Sequence, residues 1–467
     1  MCAIFGAVAK RLNLKIVDDV ILGLYHQQHR GQESAGIAYT DTEFLRTEKG
    51  FGLVSSVFDE KLTDKIKSVM PMMMIAQTRY STSKTLDKAK NSTLSIPPQW
   101  VHVLRGRFAL IHNGNIPYID AKNRVLSSLG VKVYKTDNDT AYMLKYILCF
   151  AEKHDWDLIA GISEFINSTS GTYSAALLSE DAAYLFRDPW SNRPFFWTET
   201  EDGFYFGSET CAFSDITKKR LTTVEGGQII KLTPKGPPEI YQARKERPAH
   251  CVLEHIYFAR PDSLTYGREI EDEFRFRSGI KLAELFPLPE ADIITYMPES
   301  GKPAGEGFAF HAKKPLRAVY IRDSYLPGRG FIAPRQEERA RYSKMKYHLM
   351  SHLVKDKKVV MVDDTIMRMI TLAGKVVEMK EAGAKEVHIR IAAPPTISPC
   401  FYGIDMPSRE ELVASHMSKD EIRDRMRADS LEYLSLDALN TILEGGGQNP
   451  DHYCKACFDG SYPIPMI

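Results

Sequence analysis

Net charge is nearly absent from this chain. Lys and Arg number 61 against 60 Asp and Glu, which leaves +1 over 467 residues. Without an excess of either sign, nothing global points to nucleic acid or an anionic membrane as partner. Long hydrophobic runs are missing too: no stretch reaches the roughly 18 uncharged apolar residues of a membrane span. The start lacks a basic segment followed by an apolar one, the pattern of a secretory signal, so a cytoplasmic protein is expected. Cysteine is scarce and odd in number, with seven. That argues against a disulfide framework and turns attention to catalysis or metal. There is no internal repeat and no long low-complexity tract; the nearest is Gly445-Gly446-Gly447, which reads as a flexible connection. The length allows two or three domains with substantial cores.

What is present begins at the second residue. If Met1 is removed, which a small second side chain permits, Cys2 becomes the N-terminus. One residue then carries a thiol and a free α-amine. An α-amine titrates at about 7.7–8, so part of it is neutral near pH 7 and can act as base for the strongly nucleophilic thiol. Such a residue can perform acyl transfer without a histidine. Of the other cysteines, Cys149 lies in the apolar run Tyr146–Phe150 and reads as a buried thiol, and Cys211 reads as structural.

Composition shifts near residues 233–250, where Pro and charged residues cluster. Before that point short strand-like runs dominate (2–8, 36–39, 107–112, 174–178, 183–186 and 203–206), interrupted by helical patterns over 16–26 and 140–153. Stacked sheets with helices outside are expected. After it, strands such as 318–321, 359–362 and 387–391 alternate with helices, which predicts an α/β domain with a parallel sheet. The expected division is 2–235, a linker at 236–250, and 251–467.

Four polar segments of the first part need a joint explanation: Gln28–Ile37, Gln77–Thr82, His112-Asn113-Gly114-Asn115 and Thr136–Thr140. Taken singly each has an ordinary reading. Asn-Gly is a common hairpin turn, Asp139 suits a helix N-cap, and Arg79 could be a surface charge. Thiol attack on a carboxamide needs the same residue types. An oxyanion requires preorganised donors such as a side-chain amide and a glycine N–H. An amino-acid carboxylate pairs with a fixed arginine, and its ammonium pairs with a carboxylate.

In this order behind Cys2, the segments resemble the class II glutamine amidotransferases, which are N-terminal-nucleophile hydrolases. Their start, the RGQ-S/D-AGI segment, the R-Y-x-T segment, the HNGN segment and the acid before a helix all occur. The likeness continues through Gly171–Ser174, Arg187–Pro189 and Ser208–Ala212, so it covers residues 2–232. It implies an αββα sandwich with Cys2 as nucleophile and Asn113 and Gly114 as the oxyanion hole. It also implies that Arg79, Tyr80 and Asp139 hold glutamine. One departure stands out: Ala76-Gln77-Thr78 replaces the usual Gly-His-Val before the arginine.

The second part carries Lys358-Val359-Val360-Met361-Val362-Asp363-Asp364-Thr365-Ile366-Met367-Arg368-Met369-Ile370-Thr371, a buried strand, two acids and a loop opening a helix. A helix N-terminus suits phosphate, and two adjacent carboxylates can reach ribose hydroxyls or a bound Mg²⁺, although acids after a strand can also merely cap a helix. The run resembles the phosphoribosyl pyrophosphate signature of type I phosphoribosyltransferases. Asp363, Asp364, Thr365, Arg368 and Thr371 are the implied contacts, with Ser300 from the loop Pro298–Ala304. Two departures fall on phosphate-handling loops. Met369 stands where the family has glycine, a residue that permits positive φ and close approach of backbone to phosphate. The loop Arg322–Ile332 is also altered.

Cys454 and Cys457 form a CxxC, and Cys251 and Cys400 complete a set of four. A CxxC can hold zinc, an iron–sulfur cluster or a redox pair; spacing alone leans to zinc. The surroundings of all four resemble the cluster-bearing branch of the amidophosphoribosyltransferases, which implies a structural [4Fe–4S] cluster. The same resemblance implies a homo-oligomer, Mg²⁺, glutamine and phosphoribosyl pyrophosphate as substrates, purine nucleotides as inhibitors, and an interdomain ammonia channel. The expected reaction yields phosphoribosylamine, glutamate and pyrophosphate. The alternative is a divergent paralogue whose glutaminase is active but whose transferase is altered by Met369 and the 322–332 loop.

Overall fold

Strands that are apolar on both faces need cover on both faces, and the first half of the chain is built on this rule. The computed structural model describes residues 2–80, 96–134, 137–267, 269–323, 346–406 and 408–466. The first half contains β1 (Ala3–Ala9), β2 (Ser34–Thr40), β3 (Leu45–Phe51), β4 (Met73–Arg79), β5 (Gln99–Val103), β6 (Gly106–Asn115), β7 (Thr172–Leu178), β8 (Ala183–Arg187), β9 (Phe196–Glu199), β10 (Gly203–Gly207), β11 (Thr222–Thr223), β12 (Gln228–Leu232) and β13 (Glu239–Gln242). They form two antiparallel sheets, ordered β11-β9-β10-β1-β4-β2-β3 and β13-β12-β8-β7-β6-β5. Every residue of β1 is buried. Side chains alternate across a strand, so Ile4 and Val8 enter the layer between the sheets, where they meet Ile111, Ala176 and Phe206. Ala3, Phe5 and Ala7 face outward against Val17, Val20 and Leu24 of the helix Lys15–His26. On the far side, helices Asp139–Lys153 and Leu158–Ser168 cover the second sheet through Met143, Leu144, Ile147, Ile162 and Phe165. The result is the αββα sandwich that the strand-like runs and helical patterns predict.

Three local readings change. Asn113-Gly114 is not a hairpin turn, because β6 runs through it in register with β7: Asn113 opposite Ser174, Gly114 opposite Tyr173 and Asn115 opposite Thr172. Asp139 is not the cap of its helix; Asn138 accepts from the Ala141 N–H at 3.0 Å, which leaves the Asp139 carboxylate available for another partner. Residues 239–242, inside the stretch expected as a linker, form β13 on the edge of the second sheet, paired with β12 through the alternation Glu239-Ile240-Tyr241-Gln242.

The second half has β14 (His250–Cys251), β15 (Ile293–Tyr296), β16 (Tyr320–Arg322), β17 (Tyr347–Leu349), β18 (Lys358–Asp363), β19 (Glu386–Ile391), β20 (Ser430–Tyr433) and β21 (Tyr453–Cys454). A parallel sheet runs β15-β18-β19-β20. Val360 and Val362 of β18 pack on one face with Phe274, Phe308 and Leu439, while Val359 and Met361 pack on the other with Val376 and Met379. The strand expected at 318–321 is β16, which pairs antiparallel with β17 outside the parallel sheet. Parallel pairing of β14 with β21 sets Cys251 opposite Cys454 and ties the tail to the start of this half. No described helix is long and apolar enough to cross a membrane.

Candidate active sites and a four-cysteine cavity

The first site is a corner where β1 begins and β4 ends. Their antiparallel register pairs Ala3 with Thr78, which brings Cys2 beside Arg79 and Tyr80. Cys2 is half-buried, with its Sγ 3.9 Å from the Tyr80 carbonyl oxygen. The Cys2 carbonyl accepts from Arg30 Nε at 3.3 Å. Arg30 is fully buried and is neutralised by Glu209 and by Glu254, whose carboxylate oxygens accept from Nη2 at 2.7 and 2.9 Å. Burial opposes the charge on Arg30, but the two carboxylates outweigh it and raise its pKa.

Gln77 joins this corner to the second sheet. Its amide nitrogen donates to the His112 carbonyl at 2.8 Å, and its amide oxygen accepts from the His112 N–H at 3.1 Å. Asn113 follows at once. It is fully buried, and neither atom of its side-chain amide has a partner. Buried polar atoms are nearly always paired, so an unmatched amide at a site is a donor waiting for a ligand. Ser34 and Thr78, also on the strands at this corner, carry buried unpartnered hydroxyls as well. Gly114 has φ of +154°, and a Cβ there would lie 1.9 Å from the Thr172 carbonyl oxygen, so no other residue fits. His112 Nε2 lies 3.2 Å from an Asp139 oxygen. Burial disfavours the Asp139 carboxylate, but His112 and the N–H groups of Thr140 and Ile116 outweigh it and hold its pKa below the ordinary value. The structure therefore sets Cys2 beside Arg79 and Tyr80, and ties this corner through Gln77 and His112 to Asn113, Gly114 and Asp139. Ser81 and Thr82 of the R-Y-x-T segment, and Thr136, lie outside the described residues.

The second site lies at the C-terminal edge of the parallel sheet. Ser300 Oγ donates to Asp363 at 3.2 Å, and Thr365 Oγ1 donates to Asp364 at 2.7 Å. Burial pushes the Asp363 carboxyl well up, and the neighbouring Asp364 adds to the shift. Gly301 is packed so that a Cβ would lie 2.4 Å from the Val362 carbonyl oxygen, which brings the loop after β15 against the end of β18. Met369 has φ of +65° and immediately precedes the helix Ile370–Glu381, whose first turn contains Thr371. The backbone thus adopts the left-handed conformation that glycine would accept without strain. Arg368 is not gathered with the acids; it forms a two-pronged pair with Glu411 at 3.0 and 3.4 Å. Most of the 322–332 loop, from Ser324, lies outside the described residues.

The four singled-out cysteines line one cavity, together with Arg193, Tyr402 and Tyr462. All four are free thiols. Burial pushes the Cys251 thiol up to about 11, and raises Cys454 and Cys457 further. Among the described residues, no group of three or more His, Cys, Asp or Glu side chains is arranged to hold a metal ion. A tetrahedral zinc site with Zn–S of about 2.3 Å draws its sulfurs to about 3.8 Å from one another, which is a tighter gathering than a polynuclear cluster requires.

The sequence marks Gln77 as a departure but not its pairing with His112, and it gives no mark of Arg193, Glu254 or Glu411. The signal for Gln77 was a polar side chain inside the otherwise apolar run of β4. Arg193, Glu254 and Glu411 act through partners distant in sequence and left no local mark.

The sandwich and the parallel-sheet half make this a glutamine amidotransferase unit joined to a phosphoribosyltransferase unit. The glutamine amidotransferase domain family matches residues 98–215. An amidophosphoribosyltransferase of Synechocystis is 33% identical over 100% of this chain and 91% of its own length. That of Archaeoglobus fulgidus is 35% identical over 95% and 94%. Among solved structures, the glutamine phosphoribosylpyrophosphate amidotransferase of B. subtilis, in complex with ADP and GMP, superposes with a TM-score of 0.87 at 32% identity, covering 100% of this chain and 98% of the other. Another, described as the allosteric regulatory enzyme of purine biosynthesis, gives 0.88 at 33% identity, with 100% and 97% covered. The chain belongs to the amidophosphoribosyltransferase family.

Proposed function

We propose that this chain moves the amide nitrogen of glutamine onto phosphoribosyl pyrophosphate, forming phosphoribosylamine, glutamate and pyrophosphate. The observation that carries the reading is the fully buried Asn113 amide with no partner on either atom, on the strand that Gln77 joins to the Cys2 corner. Once Cys2 is the N-terminus, its α-amine takes the thiol proton. The sulfur attacks the glutamine amide carbon, and the carbonyl electron pair moves to oxygen, where Asn113 Nδ2 and the Gly114 N–H receive it. Collapse breaks the C–N bond, ammonia leaves with the proton, and water then hydrolyses the thioester to glutamate. Arg79 and Tyr80 hold the α-carboxylate end and Asp139 the ammonium.

In the second site ammonia displaces pyrophosphate from C1. Carboxylate and hydroxyl oxygens suit a hard cation, so Asp363 and Asp364 would hold Mg²⁺ through its water shell. When bound, the ion would supply positive charge to offset that of the leaving pyrophosphate. Ser300, Thr365, Arg368 and Thr371 would contact the phosphates, with Arg368 first released from Glu411. Three buried thiols and the half-buried Cys400 line one cavity, beside the buried cation Arg193; this set fits a [4Fe–4S] cluster held by Cys251, Cys400, Cys454 and Cys457. When bound, it supplies a structural link and no electrons to either reaction. A homo-oligomer in the cytoplasm, inhibited by purine nucleotides, completes the reading; the B. subtilis relative with bound ADP and GMP supports the last of these.

Pyrophosphate release with glutamine and phosphoribosyl pyrophosphate together tests the reaction. Cys2→Ala should abolish the glutamine-dependent rate and keep the ammonia-dependent one; loss of both would contradict two separate sites. Protein prepared without oxygen should be brown and carry about four irons per chain, whereas colourless protein with one zinc would overturn the cluster.

A further inference from the structure

We propose that Phe401–Gly403, a segment of the phosphoribosyltransferase half, is a positioning element of the oxyanion hole in the other half. The inference rests on the glutaminase reading of the Cys2 corner and names a part of it contributed by the second domain.

Two glycines meet backbone to backbone across the domain boundary. Gly403 has φ of +100°, and a Cβ on it would lie 2.8 Å from the Gly114 carbonyl carbon and 2.9 Å from its oxygen. The Thr172 carbonyl also lies against Gly114, 1.9 Å from where a Cβ would stand. Gly114, whose N–H is the proposed donor, is therefore held at its Cα and carbonyl by a loop of the other domain, next to β7. That loop is anchored to the same two strands. Asn115 Nδ2 donates to the Phe401 carbonyl at 2.9 Å, and Thr172 Oγ1 donates to the Tyr402 carbonyl at 2.8 Å. The Tyr402 carbonyl also accepts from Arg193 Nε at 3.1 Å. The Tyr402 ring is buried, and its hydroxyl donates to the Ile464 carbonyl at 2.7 Å.

Successive carbonyls of the loop are thus committed to Asn115, which follows Gly114, and to Thr172 opposite it, and the loop's glycine leaves the space a side chain would need. Donors to an oxyanion act only when their geometry is set in advance. Gly114 is in a conformation that no side chain could hold, so the angle between its N–H and the carbonyl that Gly403 touches is set by its own φ, and the loop acts on the N–H through the Gly114 Cα. Cys400 precedes the segment directly, so the four-cysteine cavity and the oxyanion hole share one short stretch of chain.

The test uses the full-length protein and steady-state glutamine hydrolysis. The double variant Asn115→Ala, Thr172→Val removes both side-chain anchors with little change of shape, and Gly403→Ala inserts the missing Cβ. The expected result is a glutamine kcat lowered about 10-fold or more, approaching the 10²–10³ of a lost oxyanion donor for Gly403→Ala. KM for glutamine and inhibition by glutamate stay within twofold, because the loop does not touch the ends of the amino acid. Ammonia-dependent pyrophosphate release and visible absorbance should match the parent. A merely structural role would lower both activities together in the double variant, and that result overturns the proposal, as does a glutamine kcat within twofold of the parent in both proteins. A parent chain that does not cleave glutamine defeats the reading of the Cys2 corner itself, and this inference with it.

Discussion

Met369 holds a left-handed backbone conformation in which a glycine would be at ease. Its φ of +65° lies in the left-handed region, which costs a non-glycine residue about 1–2 kcal/mol. The strain persists because the Asp363-Asp364 turn and the following helix determine the path of the chain on either side. The side chain recovers part of that cost, since it packs half-buried against the core that contains Val359 and Met361. Met369→Gly should therefore change stability little, with strain relief offsetting lost contact, while KM for phosphoribosyl pyrophosphate falls about fivefold as the backbone opens to phosphate. A KM equal to the parent's would show that the loop already accommodates the methionine. The Met369 departure was accessible from sequence because the resemblance to the phosphoribosyltransferase signature sets a glycine at that position. The Arg368–Glu411 pair was not, since its two members meet only after the chain has passed through β19.

Among elements, β6 decides how the first site is built. The segment Asn113-Gly114 satisfies a hairpin rule, yet it continues a strand because β7 lies beside it for three more residue pairs. Local turn preference lost to register. On its other edge β5 pairs with β6 only as far as Gln99 opposite Leu110. Beyond that point the Gln77 amide meets both the N–H and C=O of His112 and stands in for a strand neighbour. Gln77→Leu should leave two buried backbone groups unpaired and cost about 2–3 kcal/mol, since each such group costs about 1–3 kcal/mol in full and relaxation recovers part. Urea unfolding measures the loss. The glutamine kcat should fall with it, while KM stays near the parent's. An unchanged kcat would separate the pairing from Asn113.

At the level of the whole molecule, the two halves are joined through buried charge. Arg30 and Arg193 from the sandwich share Glu254 from the other half, and all three are fully buried. A buried pair adds little net stability against an apolar alternative, but removing one partner strands the other at a cost of about 3–5 kcal/mol. Glu254→Ala should lower stability by that amount in denaturant unfolding, and should also weaken the hold on the Cys2 carbonyl through Arg30. A loss under 1 kcal/mol would mean that Glu209 alone compensates Arg30. The pairing of β14 with β21, the four-cysteine cavity and the Phe401–Gly403 loop reinforce the same junction.

Periodicity and residue chemistry were enough for the layered sandwich and the parallel sheet, and they drew attention to Cys2 and to the acids Asp363 and Asp364, whose roles rest on the family resemblance. Each depends on neighbours within a few residues: apolar alternation, a thiol next to an amine, acids at a strand end. The continuation of β6, the release of Asp139 from capping, Gln77 as a surrogate strand neighbour and Gly403 against Gly114 depend on which strand or loop arrives from far along the chain. Close packing lets only particular groups fit there, and that choice exists only once the chain has folded.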